Sequence, residues 1–126
     1  MSPAPVPHVL RVAPALLQAG ATLIAGHSAH VFQGVRGKIL FDLGDFIDDY
    51  AVDPILRNDL GVLWMITIDS EGPARLEAIP LFLEFCHTRL ADGEDAEWIR
   101  KRFRYACAKF GTDVTEEEGR LVVTWR

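Results

Sequence analysis

ATLIAGHSAHVFQGVRGKILFDLGDF, residues 21–46, passes from an apolar run into a loop with two histidines and then through two more β-rich segments. Ala21 to Ala25 directly follows a helical pattern and a glycine. A continuous apolar run in that position reads as a buried strand of a sheet covered on both faces. Gly26 marks its end. Phe32 to Val35 and Lys38 to Leu43 read as two short strands joined around Arg36 and Gly37, a connection tight enough for a hairpin. The hairpin exits into Gly44-Asp45-Phe46.

Upstream, Pro3, Pro5 and Pro7 forbid a helix and make residues 1–7 an extended arm. Val9, Val12, Ala13, Leu16 and Leu17 then recur at helical spacing up to Gly20. Pro14 falls inside that pattern, where a missing backbone donor and a clash with the preceding turn cost about 3 kcal/mol, so the helix is expected to be short or kinked. Downstream, Phe46 to Asn58 reads as a long surface loop in which Asp53-Pro54 starts one helical turn through Leu56. Val62 to Ile68 and Leu76 to Cys86 flank the turn residues Asp69 to Pro73 and should pair as an antiparallel hairpin. Ile99, Phe103, Ala106 and Phe110 lie on one helical face, which predicts a helix over Gly93–Phe110 with Asp92 as its cap and Gly111 beyond its end. Arg120 to Trp125 is a final strand after the acidic turn Thr115 to Gly119. The order α, several β, α, β indicates an α/β fold with a mixed sheet and two main helices, folded as one unit over residues 1–126.

Composition excludes several classes of function. The chain has 126 residues, 49% hydrophobic, with 13 basic and 18 acidic side chains for a net charge of −5. No Lys/Arg cluster is flanked by aromatics, so a nucleic-acid partner is not expected. The longest apolar stretches, such as Leu60 to Ile68, are about half of the roughly 20 residues that span a bilayer, and Met1 to Pro7 lacks the charged start and apolar core of a secretory signal. Cys86 and Cys107 form no C-x-x-C pair and read as reduced, buried thiols, which with the missing export signal makes a cytoplasmic setting the expectation.

Gly26-His27-Ser28-Ala29-His30 stands where a strand gives way to a loop, the place where α/β folds usually put ligand-binding groups. Imidazoles are common neutral ligands for zinc, manganese and iron, and two of them three residues apart on a bending loop can converge on one centre or bridge two. The same spacing fits a pair of exposed or capping histidines. A truncated nucleophile elbow, with Ser28 as nucleophile and His87 as base, is opposed by His30 where the elbow needs a small residue and by the β-rich segment where it needs a helix. Asp42, Asp45, Asp48 and Asp49 form an acidic cluster beyond the hairpin. Alternation puts Asp42 on one strand face, opposite Phe41 and Leu43. Asp45 is best placed to line a site, because the strand runs out around it, whereas Asp48 and Asp49 also fit a solvated turn.

Three motifs in order, GHSAHVFQG (Gly26 to Gly34), DLGDF (Asp42 to Phe46) and DDYAVDPILRNDL (Asp48 to Leu60), resemble the C-terminal part of CapA-type proteins, which are linked to poly-γ-glutamate capsule synthesis. The resemblance runs from about His8 to Val123. That family is similar to calcineurin-like metallophosphoesterases, so the resemblance implies a partial metallophosphatase-like sandwich with a metal centre built on loops at the strand ends. Carried over residue by residue, it makes His27 and His30 metal ligands and Asp45 a residue lining the site, with a divalent ion (Mn, Zn or Fe) as cofactor.

The family's earlier motifs, which supply aspartates, an asparagine and a further histidine, have no counterpart ahead of His27. The short hairpin at Gly34 to Gly37 and the proline at position 14 also depart from the family pattern. These departures point to a fragment, a mis-set start or a decayed copy. A two-metal hydrolase holds its ions about 3.5–4 Å apart with several ligands, so little phosphoesterase activity is expected of this chain alone. The partners expected are an N-terminal half or further copies of the chain. A non-catalytic interaction or self-association module derived from the same fold is the alternative.

Overall fold

The computed structural model describes residues 1–47 and 51–126; Asp48 and Asp49 lie outside the described residues. In chain order the elements are α1 (Pro7–Gln18), β1 (Ile24–Ala25), β2 (Val35–Arg36), β3 (Ile39–Leu40), β4 (Leu60–Asp69), β5 (Gly72–Glu84), β6 (His87–Leu90), α2 (Gly93–Ala108), β7 (Thr115–Glu117) and β8 (Arg120–Thr124). The class is α/β with two helices and mixed strand pairing, as expected, and the strands divide into two sheets. The small sheet has the order β1-β3-β2, with β1 parallel to β3 and β2 antiparallel to it. The large sheet has the order β4-β5-β8-β7 with β6 also on β5, and all its pairs are antiparallel.

Residues of α2 join the two sheets. Ile99, Phe103 and Cys107 are fully buried and share a core with Phe32, Val35 and Leu40 from the hairpin region and with Leu76, Ala78, Leu121 and Val123 from the large sheet. Phe103 stands 6.2 Å from Phe32 and 5.7 Å from Trp64, ring centre to ring centre. Burying an aromatic of this size is worth about 1.5–3 kcal/mol by transfer alone. Alternation along β3 gives the small sheet a second buried face. Leu40 faces the main core, while Ile39 and Phe41 pack with Ala13 of α1 and with Val9, Leu17, Ile24 and Phe110.

Several local expectations change. Helix α1 begins at Pro7, which therefore belongs to the helix and not to the arm. A proline is tolerated there because the first helical N–H has no intrahelical acceptor. Pro14 lies inside this 12-residue helix without ending it, and removes only the donor that would have reached Leu10. Ala21 to Ala25 is not a buried strand. Only Ile24–Ala25 pairs, at the edge of the small sheet, and Ala21, Thr22 and Ala25 are exposed. The Pro54–Leu56 segment makes the single helical-type turn expected, with the Arg57 N–H donating to Asp53 O at 2.9 Å and Asp53 Oδ1 accepting the Ile55 and Leu56 N–H groups at 2.8 Å each. Asp92 occupies the N-cap of α2 without a side-chain capping bond.

The β4–β5 hairpin forms as expected but is longer, closing through Ser70 and Glu71 alone. Both prolines of β5 sit where no ladder donor is needed. Pro73 adjoins the register shift at Thr67/Ile68, and Pro80 lies between the end of β8 pairing at Ala78 and the start of β6 pairing at Leu81. The segment read as one strand to Cys86 stops at Glu84, turns with Cys86 at φ 55°, and returns as β6. Cys86 is thus exposed, and only Cys107 is the buried thiol expected of both; burial raises the Cys107 pKa to about 11. The acidic turn is half strand, since Thr115–Glu117 pairs with β8.

Candidate functional site

The loop with the two histidines is anchored from below by backbone contacts that require glycine. A side chain at Gly26 would lie 2.2 Å from the Phe41 carbonyl oxygen, because the strand exit runs directly against the segment after β3. The Gly26 N–H donates to Leu40 O at 2.9 Å, and the Leu43 N–H donates to Gly26 O at 3.0 Å. Gly44, at φ 73°, also passes close to Phe32, where a Cβ would meet the backbone nitrogen at 2.8 Å.

Asp42 then fixes the loop itself. Its side chain is buried (3% exposed), with Oδ2 accepting the Ala29 N–H and Oδ1 accepting the Gly44 N–H, each at 2.9 Å. One carboxylate thus ties the residue between the two histidines to the residue before Asp45. Charge-assisted bonds of this kind are roughly twice as strong as neutral ones. They hold a backbone that is otherwise unfavourable, since Ser28 at φ 93° and His30 at φ 67° both sit in the left-handed region. The sequence reading placed Asp42 on a strand face and gave it no role. The available cue was a lone carboxylate inside the apolar run Ile39 to Leu43.

His30 and Asp45 meet. His30 Nδ1 is 3.1 and 3.2 Å from the two Asp45 carboxylate oxygens, with the imidazole 46% and the carboxylate 18% exposed. Trp64 supports this edge by donating its indole N–H to Leu43 O at 2.7 Å, and the Thr88 hydroxyl donates to Phe46 O. His27 is exposed, and its Nδ1 lies 2.8 Å from Ser28 Oγ. The two imidazoles border different clefts. His27, Ser28, Ala29 and Asp42 line one of about 310 Å³ together with buried Gln33, whose side-chain amide donates to Ser2 O at 2.8 Å. His30 borders another of about 390 Å³ with Met1, Ala51 and Asn58.

Among the described residues, no group of three or more His, Cys, Asp or Glu side chains is arranged to hold a metal ion. The donor set here is therefore two imidazoles and one carboxylate already engaged with one of them. The elbow reading of Ser28 has no structural support, because no helix follows it and His87 lies on an exposed strand opposite Glu84. Also among the described residues, no helix is long and apolar enough to cross a membrane.

Comparison with known proteins bears on the same stretch. Residues 1–50, which contain the histidine loop, Asp42 and Asp45, match the family model described as bacterial capsule synthesis protein. The chain is 29% identical over 116 residues to a "probable polyglutamine synthesis accessory protein" of Mycobacterium tuberculosis, found in two strains, with 85% of this chain and 30% of the relative covered. It thus spans about a third of the length of the curated relatives it matches. The family match takes in the first two of the motifs noted from the sequence, and over that stretch the chain is similar to the bacterial capsule synthesis proteins.

Proposed function

We propose that this chain is the C-terminal part of a capsule or polyglutamate biosynthesis accessory protein with a metallophosphatase-like fold, and that its histidine loop supplies His27 and His30 to a divalent-metal centre that needs further ligands to be complete. The observation that carries this reading is the Asp42-anchored loop with His30 set against Asp45, inside the stretch that matches the family. A carboxylate on one ring nitrogen of a histidine is the usual companion of a metal-binding imidazole. It fixes the ring and favours the tautomer whose lone pair is on the other nitrogen. Asp45 therefore serves to orient His30. The remaining ligands come from further chain or from a second copy, and the reduced Cys86 and Cys107 suit a cytoplasmic setting.

Two imidazoles do not enclose an ion, so no hydrolytic step is assigned to these residues by themselves. Calorimetric titration with Mn²⁺ and Zn²⁺, beside the His27→Ala/His30→Ala double variant, tests the reading. Micromolar binding that disappears in the double variant is expected. Absence of saturable binding, or binding that survives both substitutions, would overturn the assignment of the loop as a ligand loop.

A further inference from the structure

One stripe of α2 and its C-cap carries Trp98, Arg102, Tyr105 and Lys109, at i, i+4, i+7 and i+11. The Arg102 guanidinium carbon lies 5.3 Å from the Trp98 ring centre, and Lys109 Nζ lies 4.6 Å from that of Tyr105. Two clefts of about 380 and 390 Å³ share Ile55, Arg102 and Tyr105 on their borders. The first is walled by Pro3, Pro5 and Phe110 and bordered by Lys109, and the second is bordered by Lys101.

The charges here are not compensated as they are elsewhere on the helix. Arg100 pairs with Glu97 and Arg104 with Glu116, whereas among the described residues no carboxylate pairs with Arg102, Lys101 or Lys109. Arg102 Nη2 is buried with no hydrogen-bond partner. A buried donor left unmade costs about 1–3 kcal/mol, more when charged. In a chain with 18 acidic residues, this shortage does not come from a lack of carboxylates. Burial also holds the Arg102 pKa below the ordinary arginine value, which is the mark of a cation short of an acceptor.

We propose that this cleft binds a small organic carboxylate with a flat apolar body. The carboxylate seats on the Arg102 guanidinium, whose planar donors match its two oxygens. Lys101 and Lys109 add attraction, and the body lies between Tyr105 and the proline wall. The volume lies within the range of small-molecule sites. Ile55, 82% exposed, stands on the rim that the two clefts share. The site is independent of the histidine loop.

The probe is benzoate, followed by amide and indole NMR shifts of the isotope-labelled chain, with inorganic phosphate titrated in parallel. Saturable shifts are expected at the Trp98 indole and along α2, with affinity at least tenfold weaker in Arg102→Met, which keeps the apolar stem, and weaker in Lys109→Met. Arg36→Met, exposed on β2, should bind as the parent does. Absence of saturation, unchanged affinity in folded Arg102→Met, or equally tight phosphate binding would each overturn the proposal. If Arg102→Met fails to fold, Lys109→Met and Arg102→Lys decide the question in the same way.

Discussion

Replacing Asp42 should loosen the histidine loop. The carboxylate is 3% exposed and accepts two N–H groups from backbone on either side of the site, Ala29 and Gly44, at 2.9 Å each. A hydrogen bond to a charged group contributes about 1.5–3 kcal/mol, so removal of both in Asp42→Ala sets an upper bound of about 3–6 kcal/mol. Burying the carboxylate has its own desolvation cost, which the alanine no longer bears, and this brings the expected loss to about 3 kcal/mol. Asp42→Asn keeps the shape and one acceptor but sets its amide N–H against the second backbone donor, so about 2 kcal/mol is expected. For a chain of this size, the alanine loss corresponds to a fall in Tm of about 9–15 °C. Urea unfolding followed by tryptophan fluorescence gives the energies. Hydrogen exchange gives the specificity, because the Ala29 and Gly44 amides should lose protection ahead of the β4–β5 ladder. An Asp42→Ala chain within about 0.5 kcal/mol of the parent, the usual size of a surface change, with both amides still protected, would refute the anchoring role.

Two further outcomes follow from the same contacts. Gly26→Ala places a methyl 2.2 Å from a backbone oxygen that cannot rotate away, so a loss of about 2 kcal/mol or more, or failure to fold, is expected in thermal melts, by the strain principle for overfilled sites. Asp53 is held below its ordinary carboxylate pKa of 3.8 by the Leu56 and then the Ile55 amides. The stability it adds is therefore present above pH 3.8 and lost as the pH falls through its lower folded value. The gap in urea midpoint between the parent and Asp53→Ala should accordingly be open at pH 7 and close in strong acid. A gap that stays constant across that range would count against the turn contact.

Much of the scaffold was legible because it depends on short-range rules. The spacing of Ile99, Phe103 and Ala106 marked α2, the residues around Ser70 and Glu71 marked the long hairpin, and Arg36-Gly37 marked the short one. The sequence put Asp45 near the histidine loop through a short hairpin, but only the packed chain brings its carboxylate onto His30. Misreadings came where burial decides. Ala21 to Ala25 has the composition of a central strand but lies at a sheet edge, and Cys86 has the usual habits of a buried residue but turns a corner in solvent.

The sequence by itself determined the periodic elements, the turns between neighbouring strands and the likeness of the histidine loop to the capsule synthesis proteins. Tertiary structure decided the rest: the division into two sheets, the pairing of β6 with β5 and of β7 with β8, the anchoring of the loop by a carboxylate 13 residues away, and the uncompensated arginine on α2. The physical reason is that propensity and periodicity act within a few residues. Whether a polar group is buried, and which donor it then finds, depends on segments that meet only when the chain has packed.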